Sequence, residues 1–306
     1  MDDVIRRRLD SEVALIRTIA HYIIESGGKR LRPALVLLAA NAVGAQGTAK
    51  HELAAVVEFI HTATLLHDDV VDESSLRRGR RTANAEFGNA ASVLVGDFLY
   101  SRAFQMMVDV GSARVMEVMA NATNVIAEGE VLQLLNIGNP STDEEQYLRV
   151  IRYKTAKLFE AATQVGAILG GAKPEVESAL AAYGMHLGTA FQVIDDVLDY
   201  SGDFSETGKN LGDDLAEGKP TLPLIHVLRN GTEAERDVVR RAIETEGKAD
   251  LEAVLAAIRR TGALDYARAK ARLEAEAAEG HLATLPGSEW RDSLLQLASF
   301  SVERSF

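Results

Sequence analysis

Two aspartate patterns of the same form carry the clearest chemical signal in the sequence. The first reads DDVVD from Asp68 to Asp72, and the second reads DDVLD from Asp195 to Asp199. Residues four apart on a helix lie on one face, with Cβ atoms roughly 5–6 Å apart. Each pattern therefore places two carboxylates side by side, which suits Mg²⁺ completed by water and phosphate oxygens. A single pattern of this kind is a solvated helix end as often as it is a metal site. Two copies after similar apolar stretches indicate a site where metal ions hold a diphosphate.

Basic residues accompany these aspartates at short distances along the chain. Arg77 and Arg78 come one short loop after the first pattern and are placed to meet the same anion. Upstream, GGKRLRP presents Lys29 and Arg32 before a predicted helix, and its glycines let the backbone approach a phosphate. Arginine suits bidentate phosphate contacts, and lysine acts as a point charge. Such a loop alone is more often an ordinary helix link; beside the aspartate pairs it predicts a second diphosphate site that needs no metal.

Further polar side chains fit the same scheme, although each has an ordinary structural alternative. Gln192 lies three residues before Asp195, on the same helical face, and can donate to a phosphate oxygen. His61 lies seven residues before Asp68 and so faces the same side, although a helical histidine is usually structural. Lys154, with Thr155, stands among apolar neighbours, where a snorkelling surface lysine is the alternative. Lys209 and Lys219 flank the loop GDDLAEGKPTLP, where we expect them to close over the bound anion.

Composition excludes several classes of protein. The chain has 306 residues, of which 47% are hydrophobic and 25% charged, and a net charge of −12, as in a globular protein with a large core. Clustered basic residues, rather than a net negative charge, attract nucleic acid, so we expect no nucleic-acid partner. No apolar run reaches the ~20 residues that span a bilayer, and MDDVIRRR lacks a signal-peptide core. The chain is therefore expected not to be membrane-embedded, and the absence of cysteine fits a reducing, cytoplasmic compartment.

The periodicity of the apolar residues predicts an all-α fold. Apolar positions recur at helical spacing, alanine and leucine are abundant, and no segment shows sustained two-residue alternation. Glycine and proline turn signals separate the predicted helices, but no linker divides the chain, so residues 1–306 are interpreted as one domain. Helices are predicted near residues 9–25, 33–44, 50–72, 89–109, 112–136, 143–169 and 174–200, followed by shorter ones. Several exceed twenty residues, or about 30 Å, which predicts a large bundle with a deep centre.

Taken together, the motifs resemble the trans-isoprenyl diphosphate synthases, and more closely the long-chain branch represented by the bacterial octaprenyl enzyme. The resemblance runs through GGKRLRP, EFIHTATLLHDDVVDESSLRRG, NAASVLVGDFLYSRAFQMM, VIAEGEVLQL, YKTAKLFEAA, GTAFQVIDDVLDY and GDDLAEGKPTLPL, over nearly the whole chain. It implies an isoprenoid synthase helical bundle around a central tunnel, usually as a homodimer. It also implies that the two aspartate motifs face each other above that tunnel.

The resemblance further implies a role for each matched residue. Asp68, Asp72, Asp195 and Asp199 match the Mg²⁺ ligands. The residues that match contacts to the allylic diphosphate are Arg77, Lys154, Thr155, Gln192, Lys209 and Lys219. Those that match the isopentenyl diphosphate site are Lys29, Arg32, His61 and Arg78. The implied reaction is chain elongation from an allylic primer, with a product of about eight isoprene units for a quinone tail.

Helical geometry makes a prediction about product length. Ala63 and Thr64 lie about one turn beneath Asp68, at ~1.5 Å per residue, and both are small enough to leave a tunnel open. The next helix is expected to descend from about Asp97, so that Phe104, Met107 and Met119 form the tunnel floor. The alternative is that these large side chains merely fill gaps in the core.

Other functions stay open at this point. A nonaprenyl or shorter-chain synthase, making farnesyl or geranylgeranyl diphosphate, would have the same motifs. A terpene cyclase usually pairs one DDxxD with a different second metal motif, and a non-catalytic synthase subunit typically lacks its aspartates. Both of these are disfavoured because both aspartate sets are intact.

Overall fold

The computed structural model describes residues 1–25, 27–77, 79–201, 211–245 and 251–304. Apart from one short hairpin, the elements in this part of the chain are helices, which confirms the all-α prediction. They are α1 Asp2–Arg8, α2 Ala14–Glu25, α3 Leu31–Ala42, α4 Ala49–Val71, α5 Ala83–Phe87, α6 Asn89–Val110, α7 Ala113–Asn136, α8 Glu144–Ile151, α9 Lys157–Leu169, α10 Pro174–Ser201, α11 Asp213–Ala216, α12 Leu222–Asn230, α13 Glu233–Glu244, α14 Leu251–Thr261, α15 Ala263–His281 and α16 Glu289–Glu303. A π turn, Arg152–Ala156, joins α8 to α9, and a 3-10 turn, Leu282–Thr284, follows α15. The hairpin pairs β1 Leu76–Arg77 with β2 Arg80–Arg81 in antiparallel register.

One predicted helix begins later than expected, and another is interrupted. The helix predicted at 9–25 begins only at Ala14, because Ser11 accepts the backbone N–H of Val13 through its hydroxyl at 3.2 Å. A serine side chain that binds nearby backbone groups competes in this way with the helical hydrogen bonds. The helix predicted at 143–169 contains the π turn, whose wider backbone carries Lys154 and Thr155. Single π turns of this kind are often found at functional sites.

Contacts divide the chain into two compact units, and the single-domain interpretation stays a prediction. The first unit comprises Met1–Thr123, Leu158–Ala181 and Leu282–Leu294. The second comprises Asn124–Lys157, Ala182–His281 and Leu295–Phe306. Within the described part of the chain, no helix combines the length and the apolar composition that crossing a membrane requires.

In the first unit, α4 and α6 pack against each other in opposite directions. The hydroxyl of Ser92, near the start of α6, donates to the carbonyl of Leu66, near the end of α4, at 2.9 Å. At the other ends of the two helices, Arg8 forms ion pairs with both Glu52 of α4, at 3.2 Å, and Asp109 of α6, at 2.8 Å. The start of α6 therefore lies beside the end of α4, where the first aspartate motif is found.

In the second unit, an apolar cluster supports the second aspartate motif from within. Val193, Ile194 and Val197 of α10 pack there with Tyr147 of α8, together with residues of α12 and α15. These apolar residues occupy one side of α10 and the aspartates another, as the 3.6-residue period of an amphipathic helix requires. The cluster thus fixes the helical face on which the carboxylates lie.

Candidate active site

The first aspartate motif closes α4. Its last helical residue is Val71, and Asp72 follows as the C-cap residue. The backbone N–H of Asp72 still donates to the carbonyl of Asp68 at 2.8 Å, so the helical geometry continues through the motif. The predicted shared face of Asp68 and Asp72 is therefore retained, and both side chains are half-buried.

Asp69, the middle acid of this motif, turns inward and holds Arg77. The Oδ1 atom of Asp69 accepts from Nε of Arg77 at 2.9 Å and lies 2.7 Å from its Nη2, while the Asp69 side chain is fully buried. Burial by itself lowers the pKa of Arg77, but Asp69, with Asp68 and Asp72 behind it, outweighs burial and raises that pKa. Arg77 is thus a permanently charged group fastened beside the carboxylate pair. Its contact with the allylic diphosphate stays a prediction, and Arg78 lies outside the described residues.

The residues predicted to bind isopentenyl diphosphate are partly brought together in the first unit. Nη1 of Arg32 lies 3.1 Å from Nε2 of His61, and its guanidinium stacks over the ring of Phe159 at 4.6 Å. Because arginine only donates, the Nε2 atom of His61 is the acceptor in this contact. The ring of Phe159 and the imidazole therefore set the direction of the Arg32 guanidinium. Sequence reasoning did not identify Phe159, which appears in the chain as one more apolar helical residue.

The GGKR loop before α3 has an unusual backbone that exposes Lys29. Gly27, at φ 82°, and Arg30, at φ 51°, adopt positive φ, and α3 begins at Leu31 rather than near Pro33. Positive φ costs little for glycine but strains arginine, so neighbouring contacts must stabilise this turn. Arg30 supplies them through the carbonyl of Ile24, at 3.0 Å, and the carboxylate of Glu58, at 3.1 Å. Arg30 is thus structural, and Lys29 beside it is exposed.

The second aspartate motif lies within the last two turns of α10. Asp195 keeps a side-chain exposure of 40%, whereas Asp199 is 9% exposed. One oxygen of Asp199 accepts the backbone N–H of Asp214 at 3.3 Å, and the Asp199 carbonyl accepts that of Gly212 at 2.9 Å. The predicted pair is therefore unequal, because Asp195 reaches solvent while Asp199 also anchors the following loop.

Asp196 stands at the centre of a buried hydrogen-bond network. It accepts from the hydroxyl of Tyr147 at 2.6 Å and from the amide of Gln192 at 2.9 Å. The Gln192 carbonyl oxygen accepts in turn from Thr155 at 3.0 Å. Burial, with the charge of Asp214 next, raises the pKa of Asp196 to about 8 despite these two donors. Gln192 thus links Thr155 to Asp196, the middle acid of the motif, through two hydrogen bonds.

The π turn and α7 together position Lys154. Its Nζ atom lies 2.6 Å from Oε2 of Glu130 on α7. A Cβ atom added at Gly129 would lie only 2.5 Å from the backbone nitrogen of Lys154, so the two backbones touch where glycine stands. Gly129 and Glu130 belong to the VIAEGEVLQL segment and were not identified as site residues. The available signal was a pair of acids, Glu128 and Glu130, in a largely apolar helical stretch.

The loop that follows the second motif folds back on itself. Lys219 forms an ion pair with Glu217, and its backbone N–H donates to the carbonyl of Asp214 at 2.9 Å. Lys219 is thus held within the same acidic loop that contacts Asp199. Its contact with substrate stays a prediction, and Lys209 lies outside the described residues.

The predicted tunnel residues occupy the interior of the first unit to different degrees. Ala63, Met107 and Met119 are almost completely buried. Thr64 is half-buried and donates to the carbonyl of His61 at 2.8 Å, and Phe104 is half-buried with its ring 5.5 Å from that of Tyr100. Because α6 runs opposite to α4, its later residues lie progressively farther from the first aspartate motif, as the descending path requires. Their effect on product length stays a prediction.

The carboxylates fit a hard divalent cation that completes its shell with other ligands. Among the described residues, no three histidine, aspartate or glutamate side chains converge into a closed metal cage. Asp68 with Asp72, and Asp195 with Asp199, instead offer pairs of oxygen donors at the ends of long helices. This donor set suits Mg²⁺, which usually keeps several waters and takes phosphate oxygens.

Comparison with known proteins identifies the family. The polyprenyl synthetase family pattern matches residues 13–260. Octaprenyl diphosphate synthase of Escherichia coli is 56% identical over 301 residues, covering 98% of this chain and 93% of that protein. The geranyl-diphosphate-specific all-trans-nonaprenyl-diphosphate synthase of Rhodobacter capsulatus is 49% identical, covering 99% and 94%.

A solved structure agrees with the sequence comparison. The polyprenyl synthase of Caulobacter crescentus, complexed with calcium and isoprenyl diphosphate, matches with a TM-score of 0.96 and 45% identity, covering 100% of this chain and 94% of that one. The match confirms both the isoprenoid synthase fold and the resemblance seen in the motifs. The chain belongs to the polyprenyl synthetase family.

Proposed function

We propose that this protein is a chain-elongating polyprenyl diphosphate synthase that condenses isopentenyl diphosphate with an allylic diphosphate and makes octaprenyl diphosphate. The observation that carries the proposal is the pair of helix-borne aspartate motifs in a chain 56% identical to an octaprenyl diphosphate synthase. Such a trans-prenyltransferase must make the diphosphate of its primer leave, direct the second substrate to the cation that remains, and exclude water.

Departure of the diphosphate requires neutralisation of its growing negative charge. Asp68, Asp72, Asp195 and Asp199 would hold Mg²⁺, and a divalent cation supplies charge stabilisation to the leaving oxygens when bound. Calcium in the Caulobacter crescentus relative supports a divalent-cation site of this kind. Lys154 and Arg77 add fixed positive charge in their respective units. Preorganised charge of this kind is often the largest catalytic contribution.

The condensation itself needs only groups that position the reactants. The C–O bond of the primer breaks and its electron pair leaves with the diphosphate. The double bond of isopentenyl diphosphate then forms the new C–C bond, and a proton passes to the released diphosphate. Arg32, directed by His61 and Phe159, together with Lys29, would bind the diphosphate of the second substrate through charge-assisted hydrogen bonds.

Two considerations support a product of octaprenyl length. Small side chains at Ala63 and Thr64 would let a growing chain pass, and the close relatives make long chains. A nonaprenyl product is the second candidate, because the Rhodobacter capsulatus relative carries that name. We further propose a quinone side chain as the destination and the cytoplasm as the location.

A homodimer would bury apolar side chains that α6 exposes. Leu94 and Val108 are each 67% exposed, and Val93 is 36% exposed. Exposed apolar patches on a soluble protein usually mark contact surfaces. Sedimentation of the purified protein at several concentrations tests the dimer.

Product analysis tests the proposed function directly. The enzyme is incubated with isopentenyl diphosphate, farnesyl diphosphate and Mg²⁺, and the products are separated and weighed by mass spectrometry. We expect octaprenyl diphosphate, loss of product in EDTA, and recovery when Mg²⁺ is restored. Asp68→Ala and Asp195→Ala should lower turnover by about 10²–10³-fold with unchanged circular dichroism. Full activity in EDTA, or a cyclic product, would reject the proposal.

A further inference from the structure

An arginine beyond the last helix contacts the second aspartate motif. Arg304 follows α16, and its side chain is only 1% exposed. Its Nη1 atom lies 2.6 Å from Oδ1 of Asp195. Its Nη2 atom donates to the carbonyl of Phe191 at 2.6 Å, and its Nε atom donates to that of Ser301 at 3.3 Å. A buried guanidinium thus touches the most exposed carboxylate of the motif.

The position of Arg304 is fixed by contacts that do not involve Asp195. Two backbone carbonyls accept its N–H groups, and the guanidinium stacks on the ring of Phe191 at 3.8 Å. Phe191 lies four residues before Asp195 on α10 and therefore on the same face. Since the guanidinium is held by the helix that carries its partner, it sets the direction of the carboxylate.

An arginine at a metal-binding carboxylate can have two roles, and they have opposite effects on the affinity for the cation. Arg304 could occupy the place of the cation, so that metal binding has to displace it. Alternatively, it holds one carboxylate oxygen while the remainder of the group stays available. Its anchoring to Phe191 and Ser301 argues against displacement. The 40% exposure of the Asp195 side chain leaves room for a cation beside the arginine.

We propose that Arg304 is a positioning residue that orients the Asp195 carboxylate toward a divalent cation and its diphosphate; this inference rests on the proposed function. Groups that hydrogen-bond to a metal ligand fix its orientation, and their loss typically weakens metal binding 10–100-fold. Arg304 plays this part from a chain position 109 residues away from its partner.

Direct binding separates positioning from displacement. Isothermal titration calorimetry measures the affinity of the full chain for inorganic pyrophosphate in the presence of Mg²⁺. We expect Arg304→Met to weaken binding by about tenfold and Arg304→Lys to recover part of the loss. Arg291→Met, on the helix α16 that precedes Arg304, is the matched control; the Arg291 side chain donates to the carbonyl of Leu282, and binding should not change. Tighter binding by Arg304→Met would establish displacement instead.

A double-mutant cycle distinguishes positioning from a general structural effect. In an Asp195→Asn background, Arg304→Met should cause little further loss, because the carboxylate that it orients is gone. An equal loss in both backgrounds, or wild-type affinity in Arg304→Met, would overturn the inference. If circular dichroism shows that Arg304→Met is unfolded, Arg304→Lys and Phe191→Leu replace it, and their pyrophosphate affinities are compared in the same two backgrounds. These results do not depend on the product assay, so a missing octaprenyl product would reject the proposed function while leaving the Arg304 comparison interpretable.

Discussion

Tyr147 donates its hydroxyl hydrogen to Oδ2 of Asp196 over 2.6 Å, and both side chains lie in the interior, at 5% and 4% exposure. Gln192 donates to the other oxygen of the same carboxylate at 2.9 Å. The middle acid of the second motif is therefore bound by the protein on both oxygens, whereas the side chain of Asp195 next to it is 40% exposed. This division of roles within one motif depends on a tyrosine from another helix.

Removal of the tyrosine hydroxyl should destabilise the protein. In Tyr147→Phe, one buried oxygen of Asp196 loses its donor, and we expect the free energy of unfolding to fall by about 1–3 kcal/mol. Urea denaturation measures the difference. Tyr266→Phe is the matched control, because Tyr266 donates to Glu144 over the same 2.6 Å but at a half-exposed position. Equal losses in the two variants would show that burial of Asp196 does not matter.

The contact between α7 and the π turn predicts the effect of a single methyl group. In Gly129→Ala, the new Cβ atom would lie 2.5 Å from the backbone nitrogen of Lys154, so the turn must shift. We expect a loss of about 1–3 kcal/mol in stability and a raised KM for the allylic primer, since Lys154 and Thr155 move. Gly280→Ala, on α15 with open space around the added Cβ atom, should instead stabilise by about 0.5–1 kcal/mol. An unchanged KM in Gly129→Ala would count against a substrate role for the π turn.

The sequence predicts the contacts between residues that are close along the chain, but not the contacts between residues that are far apart along it. The helical period places Asp68 beside Asp72 and Asp195 beside Asp199, because those pairs are separated by four residues. No local pattern connects Tyr147 with Asp196, or Arg304 with Asp195, because packing between distant helices creates these contacts.

Backbone irregularities escaped prediction for a related reason. The break before α2 depends on one hydroxyl of Ser11 competing for a backbone N–H, and the π turn accompanies the close approach of Gly129. Neither changes the apolar period of the sequence, which continues through both sites. Periodicity thus predicts which residues face the core, whereas it does not report where the helix between them is distorted.

Two basic residues should affect different substrates. Arg32 lies against His61 and Phe159 in the first unit, whereas Lys219 lies in the acidic loop beyond Asp199 in the second. We expect Arg32→Ala to raise the KM for isopentenyl diphosphate much more than that for the allylic primer, and Lys219→Ala to show the opposite bias. Steady-state kinetics with each substrate varied in turn measures both. If both variants weaken the same substrate, the assignment of these residues to two sites is wrong.

A histidine pair should make stability depend on pH. His281 stacks on His186 at 5.4 Å, and Nδ1 of His186 lies 2.6 Å from Glu274, which also pairs with Arg152. Burial first, and then the charge of His186, lowers the pKa of His281 below its usual 6.5. The folded state thus binds this proton less readily than the unfolded state, so stability contributed by His281 is present above about pH 6.5 and lost as pH falls through its folded pKa.

Substitution of His281 isolates that contribution. His281→Asn cannot take up the proton, so the difference in melting temperature between the variant and the wild type should shift in favour of the variant between pH 7.5 and pH 5.5. Thermal melts at both values, in the same salt, measure the shift. A difference that does not change with pH would show that His281 titrates alike in the folded and unfolded states.

The residues beneath the first aspartate motif predict product length. Ala63 is fully buried on α4, about one turn from Asp68, and its small side chain would leave space for a growing chain. Ala63→Tyr should therefore stop elongation at about three or four isoprene units, because the phenol occupies the path ~7 Å below the carboxylates. Met107 and Met119 are buried farther along, and truncation of either to alanine should give longer products than the wild type. Reversed-phase separation of the dephosphorylated products decides between the outcomes. Unchanged length in Ala63→Tyr would remove the tunnel assignment, whereas unchanged length in both methionine variants would place the floor at other residues.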